Sequence, residues 1–177
     1  MNSFVVISGC SGGGKSTLLA ELAARGHRVV EEPGRRVVER EQETGGTALP
    51  WTDMRAFLDK VLTLAQHDLA EARAADGWVF FDRGVIDAVT ALAHVTGRPL
   101  ATWLKGEKLY TNRVFLAPPW PEIYKTDSAR RHGFDEAVAE YDRLQDAFEA
   151  LGYDVVHLPK IPLAERADFL CRHLLPD

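Results

Sequence analysis

The segment from Gly9 to Ser16, GCSGGGKS, constrains this chain more than any other stretch. It matches the pattern G-x-x-x-x-G-K-[ST], follows the apolar run 4–7 and leads into a helix-like segment that starts at Thr17. Glycines let such a loop curl so that backbone N–H groups point at phosphate oxygens, and the helix behind it adds partial positive charge. The sequence therefore predicts a nucleoside triphosphate site.

The predicted nucleotide-binding set is Gly9, Cys10, Ser11, Gly12, Gly13, Gly14, Lys15, Ser16 and Thr17. Lys15 is predicted to reach the β- and γ-phosphates, and the Ser16 hydroxyl to ligate Mg²⁺, which takes few protein oxygens besides phosphate and water. Cys10 occupies a variable position of the loop. It could serve as a redox switch only if the helix dipole favoured its thiolate.

Length and charge narrow the class of protein. The 177 residues carry a formal net charge of −5, and the sequence pI is near 5.7. We expect a single domain over residues 1–177, with no broad surface for nucleic acid or for an anionic membrane. The chain has two cysteines and no apolar run of about 18 residues, which together favour a cytoplasmic protein without a disulfide framework.

Short apolar runs alternate with helical periodicity along the whole chain. We predict strands near 4–8, 28–31, 78–81, 113–117 and 153–158. Helices are expected from the phosphate loop to about Arg25, from Thr52 or Asp53 until just before Asp76, from about 134 to 151, and from about 163 to 174. This alternation predicts an α/β fold with about five parallel strands and helices on both faces, and together with the phosphate loop it predicts the three-layer sandwich of P-loop NTPases.

Residues just after the strands are the candidates for chemistry, because ligands bind beyond the carboxyl ends of parallel strands. Asp82 follows an apolar strand and is placed like a Walker-B carboxylate that holds Mg²⁺ together with Ser16; it could also cap the next helix, alone or in addition to that role. Glu32 ends its strand before a proline and could accept a proton from an acceptor hydroxyl. Otherwise it is a solvated loop acid. Glu31 is the weaker candidate, since adjacent strand residues face opposite ways.

Arginines are expected to neutralise the phosphoryl group in transfer. Arg83 follows Asp82, and the pair Arg130 and Arg131 lies in a segment, about 118–133, that we interpret as a lid able to exclude water. The pair could instead be solvated at the start of the next helix. Arg35 and Arg36 are further candidates that a surface helix would also carry.

The acceptor side is less well defined by the sequence. One hypothesis is an aromatic platform for a flat substrate, built from Trp51, Phe57, Trp120 and Tyr124, although aromatic residues at such positions commonly belong to a core. Gln66 could read an amide or base edge. The acceptor itself is not identified by these residues.

With Glu31-Glu32-Pro33, Asp82-Arg83-Gly84 and Arg130-Arg131 behind the phosphate loop, the chain resembles small P-loop kinases. It is most similar to the AAA-type ATPase family grouped with nicotinamide-riboside kinase domains, a likeness that covers almost the whole chain. More distantly it is similar to deoxynucleoside kinases, in which a Glu-Pro after the second strand supplies the general base. Glu32-Pro33 and Asp82-Arg83 match that pattern, but Gly84 stands where those kinases carry serine.

The residues and the resemblance together favour a kinase that transfers the γ-phosphoryl group of ATP to a hydroxyl of a nucleoside-like or riboside-like acceptor. The partners expected are ATP, Mg²⁺ and a small-molecule acceptor, with monomer and homodimer both open. Adenine is favoured because the guanine-reading pattern Asn-Lys-x-Asp is missing: Lys125-Thr126-Asp127 lacks the asparagine. The alternative is a regulatory NTPase whose switch loops respond to the nucleotide without an acceptor.

Overall fold

The computed structural model describes residues 3–104, 106, 108–123 and 133–174. Its strands are β1 Phe4–Gly9, β2 Arg28–Val30, β3 Val79–Asp82, β4 Arg113–Ala117 and β5 Asp154–His157. Its α-helices are α1 Lys15–Ala24, α2 Pro33–Thr44, α3 Met54–Ala72, α4 Val85–Thr96, α5 Phe134–Ala150 and α6 Leu163–Arg172. Short 3₁₀ turns cover Leu100–Thr102 and Pro121–Ile123.

The strands form one parallel sheet in the order β2-β3-β1-β4-β5. Strand β1 lies at its centre, and Val5, Val6 and Ile7 are fully buried because helices cover both faces. On one face α1 and α6 pack through Leu18, Leu22 and Leu170. The other face carries α3, α4 and α5. The predicted three-layer α/β architecture is therefore confirmed.

Helix boundaries follow the capping signals. Asp53 is the N-cap of α3, and its Oδ1 accepts a hydrogen bond from the backbone N–H of Ala56 at 2.9 Å, which decides between the two predicted starts. Helix α1 ends at Ala24, followed by Gly26 in the left-handed conformation with φ +88°. Strand β2 ends at Val30, one residue earlier than predicted, because Glu32 already serves as the N-cap residue of α2.

None of the helices in the described part of the chain is long and apolar enough to cross a membrane.

The sheet brings the predicted site residues together. Strands β1, β2 and β3 are adjacent or nearly so, and they deliver the phosphate loop, Glu32 and Asp82 to the same edge of the sheet.

Candidate active site

The phosphate loop begins at the end of β1, next to the end of the neighbouring strand β4. The Cys10 N–H donates to the Ala117 carbonyl at 2.8 Å, which fixes the start of the loop. Gly9 has φ +104°, and a Cβ there would lie 2.5 Å from the Ala117 oxygen, so only glycine fits this close approach. The tight turn that the motif predicted is therefore built by the backbone contact between β1 and β4.

Lys15 lies at the start of α1 and is almost completely buried. Its Nζ donates to the Cys10 carbonyl at 2.9 Å. Burial lowers the pKa of Lys15, and the nearby Arg83 cation acts in the same direction, while Asp82 and Glu32 oppose them. The ammonium is thus hydrogen-bonded to a neutral carbonyl of the loop, and both a cation and carboxylates lie near it.

Ser16 and Asp82 meet across the sheet edge. The Ser16 hydroxyl donates to Asp82 Oδ2 at 3.0 Å. The alternative that Asp82 caps the next helix is wrong: Gly84 is the N-cap residue of α4, and its N–H donates to Asp87 Oδ2 at 3.1 Å. Asp82 remains at the end of β3, beside the phosphate loop.

The surroundings of Asp82 fit a divalent cation. Its carboxylate is buried, and Oδ1 has no hydrogen-bond partner among the described residues. Burial raises the pKa of Asp82 to about 6, although the Lys15 cation acts in the opposite direction. A buried carboxylate oxygen without a partner, next to a serine hydroxyl, offers the hard oxygen donors that Mg²⁺ prefers.

Glu32 stands between β2 and α2, where the backbone turns with φ −54° and ψ +116°. Although Glu32 is the N-cap residue, its side chain makes no capping hydrogen bond, so the carboxylate does not bind the backbone N–H groups of the helix. Glu32 Oε1 lies 3.5 Å from Arg83 Nε. The carboxylate is therefore held from one side by a cation.

Arg83 is the centre of an ion-pair cluster. Its guanidinium contacts both carboxylate oxygens of Glu140 at 3.1 and 3.2 Å, Asp87 Oδ1 at 3.3 Å and the Gly9 carbonyl at 3.2 Å. Burial alone would lower the pKa of Arg83, but Glu140, Glu32 and Asp87 raise it. Its backbone adopts the left-handed region with φ +61°, an unfavourable conformation for a side chain of this size that the surrounding contacts maintain.

Two cavities open at this edge of the sheet. The first cavity, about 1110 Å³, is lined by the phosphate loop, the start of α1, Asp82, Trp120 and Arg166. The second cavity, about 440 Å³, lies between α2, α3, α4 and α5 and has an apolar wall that includes Met54, Phe57 and Val61. Both cavities are lined by Ser11, Glu32 and Arg35. Glu32 thus stands where the two spaces meet.

Three charged residues of the site were not predicted from the sequence, namely Asp87, Glu140 and Arg166. Asp87 also accepts a hydrogen bond from the Ser8 hydroxyl. Each of the three is a charged residue beside buried apolar positions of a helix, as Arg166 is beside Ala167 and Leu170. A charge on an apolar helix face is the signal that could have found them, since charged residues are rarely buried without a partner.

Other predicted contributors are distributed differently. Arg130 and Arg131 lie outside the described residues, as does Tyr124. Arg35 lines both cavities, while Arg36 lines the first cavity and pairs with the buried Asp68 at 2.7 Å.

The aromatic platform does not form as a unit in the described structure. Phe57 lines the second cavity, Trp120 the first, and Trp51 lines neither. Gln66 is exposed and also lies outside both linings. Cys10 is buried, with its Sγ 3.3 Å from the Ser11 carbonyl, a setting that does not expose a thiolate.

The five-stranded parallel sheet, with its phosphate loop at the end of the central strand, defines a P-loop protein of kinase-like fold. The chain belongs to the family described as an AAA domain, whose sequence profile matches residues 4–166. No curated protein sequence matches the chain.

Solved structures similar to this chain include two kinases. Deoxyadenosine kinase from M. mycoides with bound dATP has a TM-score of 0.68 and 14% identity, covering 97% of this chain and 98% of that one. Shikimate kinase from Acinetobacter baumannii in complex with shikimate has a TM-score of 0.58 and 14% identity, covering 98% and 93%. At these identities the likeness concerns the fold.

Proposed function

We propose that this protein is a kinase that transfers the γ-phosphoryl group of ATP to a hydroxyl of a small nucleoside-like or riboside-like acceptor. The observation that carries the proposal is the position of Glu32 at the junction of the two cavities. ATP occupies the first cavity with its phosphates on the loop, and the acceptor occupies the second. A regulatory NTPase needs no second cavity, so the apolar wall around Phe57 favours the kinase over that alternative.

In this proposal Glu32 accepts the proton of the acceptor hydroxyl while the hydroxyl oxygen forms a bond to the γ-phosphorus. The bond from the γ-phosphorus to the bridging oxygen breaks, and ADP leaves with that electron pair. Lys15 moves from the Cys10 carbonyl to the β- and γ-phosphates. Bound Mg²⁺ would be held by Ser16 and Asp82 and would neutralise phosphate charge.

Arg83 is assigned to the acceptor side of this site. It lines the second cavity and contacts Glu32, so it orients the carboxylate that receives the proton. The lid arginines Arg130 and Arg131 are proposed to neutralise the moving phosphoryl group, together with Lys15. The acceptor's flat or apolar part is proposed to pack on Phe57.

The test is ADP formation and phosphoryl transfer from ATP across a panel of nucleosides, ribosides, sugars and small alcohols. We expect one chemical class to accelerate turnover strongly over water. Glu32→Gln should lower transfer by about 10²- to 10⁴-fold, the usual contribution of a general base, with ATP affinity retained. Turnover that stays equally slow with every acceptor would contradict the kinase and leave the regulatory NTPase.

Glu43→Gln is the matched control for Glu32→Gln. Glu43 lies near the end of α2, the helix whose N-cap residue is Glu32; it is exposed and lines neither cavity. The control should transfer at the wild-type rate. If the two variants behave alike, Glu32 is not the base.

A further inference from the structure

Arg166 is a buried cation beside the phosphate loop. It belongs to the first turns of α6, is 3% exposed and lines the first cavity. Its Nη1 donates to the Gly13 carbonyl at 2.9 Å. A Cβ at Gly14 would lie 2.9 Å from the same Nη1, so the glycine leaves the space that the guanidinium fills. The cation is therefore in direct contact with the backbone of the loop.

The charge of Arg166 is not neutralised by any carboxylate in the described part of the chain. No acidic group there lies within ion-pair distance, and two of its nitrogens, Nε and Nη2, are buried and find no hydrogen-bond partner among the described residues. Burial lowers the pKa of Arg166 and no carboxylate opposes it, yet a guanidinium remains protonated in proteins. Arg83, by contrast, lies among three carboxylates.

The remaining contacts of Arg166 do not explain its charge. The guanidinium carbon lies 5.4 Å from the ring centroid of Trp120, a cation–π contact, and the Gly13 carbonyl takes one donor. Since no carboxylate of the described residues pairs with Arg166, its buried charge costs stability, and its presence beside the loop points to a ligand that supplies an anion. The donors left over on Nε and Nη2 suit the planar, two-pronged recognition of phosphate by arginine.

We propose that Arg166 is a nucleotide-binding residue whose guanidinium donates to the phosphate chain of the nucleotide held on the loop. The inference rests on the proposed nucleotide binding of the first cavity and adds a second buried cation to Lys15. The guanidinium already donates to the Gly13 carbonyl through Nη1, so its unpaired donors Nε and Nη2 lie beside the loop on which the phosphates are proposed to bind. The ligand class is a nucleoside di- or triphosphate, recognised by its charge rather than by its base.

The experiment measures dissociation constants for ATP, ADP and adenosine, together with the melting temperature of the ligand-free protein, in wild type, Arg166→Met and Arg166→Lys. We expect Arg166→Met to weaken ATP and ADP binding by roughly 10- to 100-fold, the value of hydrogen bonds to a charged group, with adenosine binding unchanged. Its ligand-free melting temperature should equal or exceed that of wild type, because an uncompensated buried charge is removed. Arg166→Lys should fall between the two.

Arg172→Met is the control, since Arg172 is exposed at the end of the same helix. It should leave both measurements at wild-type values. The proposal is overturned if Arg166→Met lowers the melting temperature and leaves ATP affinity unchanged, which describes a structural support of the loop. Equal losses of affinity for adenosine and ATP would also overturn the proposal, because they would mean that Arg166 contacts the nucleoside and not the phosphates.

The two proposals fail in different ways. If wild type binds no nucleotide, the proposed function and this inference both fail. If wild type binds ATP and loses it with Lys15→Ala, but Arg166→Met and Arg166→Lys bind as wild type does, only the inference on Arg166 fails.

Discussion

In the first cavity the two buried cations rest on backbone carbonyls, Lys15 on Cys10 and Arg166 on Gly13, each at 2.9 Å. In the second cavity Arg83 is held by carboxylates, with Glu140 taking both prongs of the guanidinium. A carbonyl is neutral and leaves the full charge of its cation for an incoming anion, whereas a carboxylate neutralises it. In the proposed kinase, the first cavity is therefore the donor side, whose cations receive phosphate, and the second cavity is the acceptor side, which holds Glu32 in place.

The largest effect on ATP affinity is expected at Lys15. Lys15→Ala removes a charged donor to the phosphates, worth about 1.5–3 kcal/mol, or roughly 10- to 150-fold in ATP affinity. Titration with a fluorescent ATP analogue measures the loss. Lys160→Ala, an exposed lysine outside both cavities, is the control and should bind as wild type does. Unchanged affinity in Lys15→Ala would contradict the assignment of the first cavity to phosphate.

A smaller effect, on kcat and not on ATP affinity, is expected at Glu140. Glu140→Gln keeps the shape of the side chain but removes the charge that holds Arg83, so Glu32 loses part of its orientation. We expect kcat for transfer to fall about 10-fold, in line with the loss of one interaction with a charged group, while ATP affinity stays within about 2-fold of wild type.

The control for Glu140→Gln is Glu149→Gln, an exposed glutamate at the end of the same helix, where no change in kcat is expected. A loss of ATP affinity without a loss of kcat in Glu140→Gln would mean that Arg83 serves the donor side. The comparison drawn between the two cavities would then be wrong.

The phosphate loop, Glu32 and Asp82 could be predicted from the sequence because they are encoded locally. The phosphate loop is a contiguous motif, and Glu32 and Asp82 follow directly from where apolar runs end. The order of strands β2, β3 and β1 then brings these groups together without any long-range signal being needed. Backbone geometry at strand ends is the part of a site that short patterns specify.

The second cavity could not be predicted in the same way, because its wall is assembled from side chains on four helices. Glu140 lies 57 residues from Arg83 along the chain, and nothing between them in the sequence indicates that they pair. Arg166 was missed for a related reason: α6 was predicted as a helix, but the charge within its apolar face was not interpreted. Packing of helices on the sheet decides these contacts, and no local pattern encodes it.

The smallest effect on the chemistry is expected at Gly84, where the chain departs from the deoxynucleoside-kinase pattern. A Cβ at Gly84 would lie 2.0 Å from the Tyr110 hydroxyl and 3.0 Å from its Cζ, and that hydroxyl accepts a hydrogen bond from the Val85 N–H at 3.0 Å. Tyr110 is fully buried, so it has little room to move. The glycine is explained by packing, since its φ of 178° is open to any residue.

Gly84→Ser should therefore destabilise the fold by about 1–3 kcal/mol through overpacking, measured by urea unfolding, without changing ATP affinity. Adding Tyr110→Phe removes the hydroxyl that the new side chain meets. The double variant should thus be more stable than the sum of the two single changes, a coupling of about 0.5 kcal/mol or more. Additive single effects would mean that Tyr110 does not exclude serine. A loss of ATP affinity in Gly84→Ser would instead show that the two cavities are coupled through β3, since Gly84 lines only the second of them.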